Sequence, residues 1–269
     1  MLDVNRILLM DNGSLEPEST LQLRRLATEL DNRLLSRVDP VSLAHSAKIP
    51  VEALNGRPAE LFEAALDRGW RDGVNEFLVV PLFVGPSHAI VRHVPALLAE
   101  RKQKTASFRY RVAAPLFVPG ETRLAQILAD HVREQISPGD RPRVAIVDHG
   151  SPNREVTEVR NAIAAQVRSL LSDAVLEVEP CSMERREGAE YDFNEPLLAN
   201  LLGRPGWNDG PVVVGMLFIA PGRHAGEEGD VVQICRAART QAVPPVKLTR
   251  LLGQHPLLMD ILFDRASGK

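Results

Sequence analysis

The chain has 269 residues, 44% of them hydrophobic and 25% charged, a composition usual for globular proteins and a length that suits two ordinary domains. Its formal charge of -3 argues against a nucleic-acid or acidic-membrane partner, either of which asks for a clearly basic surface. Two cysteines, Cys181 and Cys235, without CxxC spacing exclude a disulfide framework and a cysteine-based zinc site, and read as buried thiols in a reducing compartment.

In chain order, the opening run MLDVNRILLMDNGS ends a short apolar stretch with an acid and a glycine, unlike a signal peptide or a membrane span. A cytoplasmic location is expected. RILLM is continuous enough to be a strand buried on both faces, and the DNGS turn and Pro17 lead into a helical pattern over residues 18–35, with Leu21, Leu26, Leu30 and Leu34 inward. Further strands fit PVSLAH, FLVVPLFV and FRYRVAA, with His88 in the loop after the third strand. ISPGDRP, residues 136–142, carries the breakers of a linker.

Beyond that linker the order restarts. RVAIVDHGS answers RILLMDNGS, and a helical pattern over residues 154–171 follows with Val159, Ile163, Val167 and Leu170 inward. Strands are expected at VLEVEPC, VVVGMLFI and PVKLTRL; VVVGMLFIAPGRHA answers FLVVPLFVGPSHA, and LMDILFDRA answers LAQILADHV. A tandem duplication explains the shared order. The predicted fold is α/β: two similar lobes, residues 1–138 and 139–269, each a four-stranded parallel sheet with helices on both faces.

Open parallel sheets bind ligands beyond the carboxyl ends of their strands, near the point where strand order reverses. In a 2-1-3-4 order, His149 after the first strand, Glu184 after the second and His224 after the third of the second lobe converge on one sheet edge. Two imidazoles and a carboxylate make an open site suited to a late divalent metal. His45, His93, His131 and His255 lie in or beside helical patterns and read as surface or cap residues. EYDFNEPLL, residues 190–198, fits either a lid or the start of a helix capped near Asn194.

DHGS after a first strand, SME closing a second and MLFIAPGRH after a third resemble the motifs of the ATP-independent (class II) tetrapyrrole chelatases, the sirohydrochlorin cobalt and iron chelatases among them, in their two-repeat form. The family's usual wording is GHGS, FLE and PLFLFAGGH. The resemblance implies two chelatase-like lobes facing a cleft for the macrocycle, with His149, Glu184 and His224 as metal-binding and catalytic residues. It implies a divalent metal substrate, Co2+, Fe2+ or Ni2+, and a tetrapyrrole partner held by Ser151, Arg185, Arg223 and His88. No nucleotide is called for, and the chain has neither a GxxxxGK loop nor a GxGxxG turn after a strand. A fused pair of lobes also lets a monomer complete the site.

The first lobe departs from the pattern. Asn12 stands where the motif histidine would be, the position matching Glu184 is expected near Lys48, and His88 alone remains. The second lobe is therefore the expected working one. SME in place of FLE, and the lack of a double glycine before His224, keep a second reading open: a non-catalytic protein of the same descent that binds a metal or tetrapyrrole and delivers or senses it.

Overall fold

A computed structural model describes residues 6–238 and 245–268. Two four-stranded parallel sheets carry the architecture, with strand orders β2-β1-β3-β4 and β6-β5-β7-β8. The first is built of β1 (Arg6–Asp11), β2 (Val38–Ser42), β3 (Glu76–Pro81) and β4 (Arg109–Val112). The second is built of β5 (Arg143–Asp148), β6 (Glu177–Ser182), β7 (Val212–Met216) and β8 (Lys247–Leu248). The helices are α1 (Pro17–Leu34), α2 (Phe62–Arg71), α3 (Val94–Lys104), α4 (Arg123–Arg133), α5 (Arg154–Leu171), α6 (Leu198–Leu202), α7 (Asp230–Ala237) and α8 (Pro256–Ser267). None of the described helices is long and apolar enough to cross a membrane.

The central strands need no alternation because helices cover both of their faces. Ile7, Leu8, Leu9 and Met10 in β1, and Val144 through Val147 in β5, are wholly buried. Of the inward positions expected in α1 and α5, Leu26, Leu30, Val159, Ile163 and Val167 are buried. Leu21 and Leu34 are only partly covered, and Leu170 is 36% exposed while its neighbour Leu171 is buried. A 3.6-residue period places each end of an apolar stripe within about one residue, and here the buried position at the C-terminus is the neighbouring one.

The chain forms two compact units, and neither follows one half of the sequence alone. One joins Met1–Pro119 with Met259–Lys269; the other is Gly120–Leu258. The 136–142 linker thus lies inside the second unit, between α4 and β5. There α4 packs on α5 and β7, and its Leu124, Ile127, Leu128 and Val132 are all fully buried. In the first unit Arg265 of α8 donates to the carbonyls of Pro115 and Leu116, and Arg33 of α1 pairs with Asp260.

Both cysteines are buried, and burial pushes the Cys181 thiol up. His255 caps as expected, its Nδ1 accepting the Leu257 N–H. His131 is neither a cap nor at the surface: it is fully buried in α4, and burial lowers its pKa. EYDFN folds into the 3-10 turn Ala189–Asn194, and the following helix, α6, has Leu197 and not Asn194 at its N-cap.

Candidate metal site

The three residues picked from the second half lie on the loops that leave β5, β6 and β7 at their carboxyl ends, and the backbone explains how two of those loops come together. Gly150 has φ +92, and a Cβ there would stand 1.9 Å from the Glu184 carbonyl oxygen. Only glycine permits that approach and that left-handed φ together. The Glu184 N–H then donates to the His149 carbonyl at 3.2 Å, which continues the β5–β6 ladder past Asp148 and Ser182. This places His149 Nε2 3.4 Å from Glu184 Oε1.

His224 arrives from the loop after β7. Its ring centroid is 4.6 Å from that of His149, edge-on at 74°. Each ring is held through Nδ1. That of His149 faces the Gly150 carbonyl at 2.9 Å, and that of His224 faces Asp230 Oδ2 at 2.6 Å. A carbonyl and a carboxylate accept, so each Nδ1 carries a hydrogen, which in the neutral ring leaves the lone pair on Nε2. In the neutral ring His149 Nε2 therefore faces Glu184 Oε1 as one acceptor facing another, an arrangement that a shared metal ion, a proton on the ring or a water molecule would bridge. Two donors each about 2.1 Å from a tetrahedral ion stand about 3.4 Å apart. The groups meet as pairs: among the described residues no set of three or more His, Cys, Asp or Glu side chains gathers into a ready coordination shell.

Beneath the loop lies a buried polar bracket that the sequence did not announce. Arg160 of α5, 1% exposed, donates to the Ser182 hydroxyl and the Asn194 carbonyl and stands 3.5 Å from Asp148. Asn194, fully buried, accepts the Ser151 N–H and donates to the Ser151 carbonyl, both at 2.9 Å. The turn that carries His149 is therefore fastened from below. Asn194 lies 43 residues from Ser151, too far for any local sequence signal. Asp230 had one faint cue, an acid opening the helical run after Gly229.

The remaining candidates divide. Arg185 is occupied inside its own loop by Glu195, by Asp192 and by the carbonyls of Arg186 and Gly188. Arg223 is 82% exposed, with its Nε 3.7 Å from Asp230. The Ser151 Oγ accepts the Asn153 N–H at 3.0 Å. In the first unit His88 is exposed and precedes the π-helical turn Ala89–His93.

The residue matching Glu184 is Ala44 and not Lys48. The Ala44 N–H donates to the Asn12 carbonyl, and a Cβ on Gly13 would stand 1.8 Å from the Ala44 carbonyl oxygen, as Gly150 does to Glu184. Lys48 lies further on, exposed at the end of the 3-10 turn Ser46–Lys48. Ladder register fixes this match, and a reading without the register slips along the loop.

Residues 143–268 match the family model CbiX. No curated protein matches the chain in sequence. Among solved structures, SirB from Bacillus subtilis with Fe3+ aligns with a TM-score of 0.74 at 15% identity, covering 97% of this chain and 94% of that one. The sirohydrochlorin chelatase SirB from Bacillus subtilis subspecies spizizenii in complex with cobalt aligns with a TM-score of 0.69 at 16% identity, covering 97% and 93%. CbiX, described as the terminal enzyme for biosynthesis of siroheme in denitrifying bacteria, aligns with a TM-score of 0.62 at 18% identity, covering 98% of both chains. Identities this low speak for the fold alone.

Proposed function

With residues 143–268 matching the CbiX family model, we propose that the protein inserts a divalent metal, Co2+, Fe2+ or Ni2+, into a sirohydrochlorin-like tetrapyrrole without ATP. The observation that carries this reading is the 3.4 Å approach of an imidazole nitrogen, His149 Nε2, to a carboxylate oxygen of Glu184, with a second imidazole beside it. The arrangement suits a cation that arrives and leaves. His149 and His224 offer Nε2 to the ion, Glu184 neutralises part of its charge, and the pyrrole nitrogens of the substrate supply the other donors. As the metal enters the macrocycle two pyrrolic protons must leave, and Glu184, 59% exposed, can accept them one after the other and pass each to water. Arg223 is the guanidinium placed to meet the carboxylates of such a substrate, and the Ser151 hydroxyl keeps its own hydrogen to donate. Arg185 serves by holding the loop of Glu184.

A second reading is binding and delivery of the metal or the tetrapyrrole without insertion. The half-exposed setting of His149 and Glu184, 48% and 59%, favours it, because wet groups bind an ion without excluding water from it. One assay separates the two. Purified protein is mixed with sirohydrochlorin and Co2+, and the absorbance bands are followed against a protein-free control. Faster conversion with repeated turnover supports insertion; a stoichiometric shift without turnover supports delivery; no effect on either metal or macrocycle sinks both.

A further inference from the structure

The geometry points to Asp230 as the positioning residue of the proposed centre, the group that fixes which nitrogen of His224 faces the metal. This rests on the reading of His224 as a ligand. The Asp230 carboxylate takes the Nδ1 hydrogen at 2.6 Å, so the neutral ring keeps its lone pair on Nε2, and this ring stands 4.6 Å from that of His149. A ligating imidazole whose other nitrogen is bonded to a carboxylate is oriented and made a better donor.

The carboxylate is itself held in place. Asp230 is the first residue of α7, its N–H donates to the Arg223 carbonyl, and the Val231 N–H donates to that of His224. Gly226 closes on Gly222 in the same loop, and a Cβ on Gly229 would stand 2.6 Å from the His224 carbonyl oxygen. The loop therefore wraps the histidine with the acid fixed opposite its ring. His149 differs, because a backbone carbonyl takes its Nδ1 hydrogen. Asp230 is thus the point where a side chain sets a tautomer in this pair. The first unit has nothing similar: the turn after His88 reads AIVRH and carries no acid.

The test compares Asp230→Ala, Asp230→Asn and His224→Ala in the full chain by three measurements. These are Co2+ titration, insertion kinetics with sirohydrochlorin, and the ring-nitrogen NMR signature of His224 in metal-free protein. Asp230→Ala should weaken Co2+ binding and slow insertion by about 10- to 100-fold. Asp230→Asn should recover part of the loss, because its amide oxygen accepts the same hydrogen. The Nδ1–H signature should be present in the native chain and lost in Asp230→Ala. A damaging His224→Ala beside an Asp230→Ala that loses only thermal stability overturns the positioning role. A harmless His224→Ala overturns the metal reading instead, and the NMR signature then still decides whether Asp230 holds the ring.

Discussion

At the ends of β1 and β5 stand Asp11 and Asp148, each pushed by burial above the usual carboxylate range, Asp11 to about 6. Asp148 has Arg160 beside it and the Ser182 hydroxyl donating to it. At the matching place in α1 the first unit has Leu23, and Asp11 is left with the Ser42 hydroxyl and the Gly13 N–H, one oxygen having no partner. The folded chain therefore holds the Asp11 proton more tightly than the unfolded chain. Stability from this group is fully present below about pH 4 and falls as pH rises through 6. Between pH 5 and 7.5 the native chain should lose roughly 1 kcal/mol more than Asp11→Asn does. Denaturant midpoints of both proteins at the two pH values check this, and equal losses would remove the unpaired acid as the cause. At this scale the sequence marked His149, Glu184 and His224 as the residues proposed to bind a metal, since each follows a readable strand. It did not show Arg160, Asn194 or the isolation of Asp11, because the partner of a buried polar group is set by tertiary contact and leaves no periodic trace.

The loops after β1 and β5 repeat one device, a left-handed glycine pressed on the carbonyl that closes the neighbouring strand. Alanine at either glycine meets that carbonyl oxygen at under 2 Å, so Gly13→Ala and Gly150→Ala should both destabilise by at least about 2 kcal/mol. Only Gly150→Ala should also impair Co2+ binding, because only that loop carries a histidine opposite a glutamate. Thermal melts paired with metal titration separate the two effects; equal metal losses would mean that the first unit's loop takes part. Strand order and the helices were legible because continuous apolar runs and 3.6-residue stripes alternate twice along the chain. Lys48 was misplaced because a four-residue slip in a polar loop alters no periodicity.

On the scale of the whole molecule, the duplication was plain in sequence while the ownership of its last helices was not. LAQILADHV and LMDILFDRA are alike in amphipathic pattern, and nothing in such a stripe names the sheet it covers. The structure assigns α4 to the second compact unit and residues 259–269 to the first. A fragment of residues 120–258 should therefore fold cooperatively, whereas 143–268, lacking α4, should leave part of α5 and β7 uncovered and aggregate. Expression of both fragments with circular dichroism melts decides this, and a soluble, cooperative 143–268 would contradict it. The central claim, a metal centre at the carboxyl edge of the second sheet, is tested most directly by Co2+ titration and insertion kinetics of His149→Ala and Asn12→Ala at one pH, with folding checked separately. His149→Ala should lose at least about tenfold in affinity or rate, about 1.4 kcal/mol, and Asn12→Ala should stay near the native value; a harmless His149→Ala, or an Asn12→Ala equally damaging, would contradict the assignment.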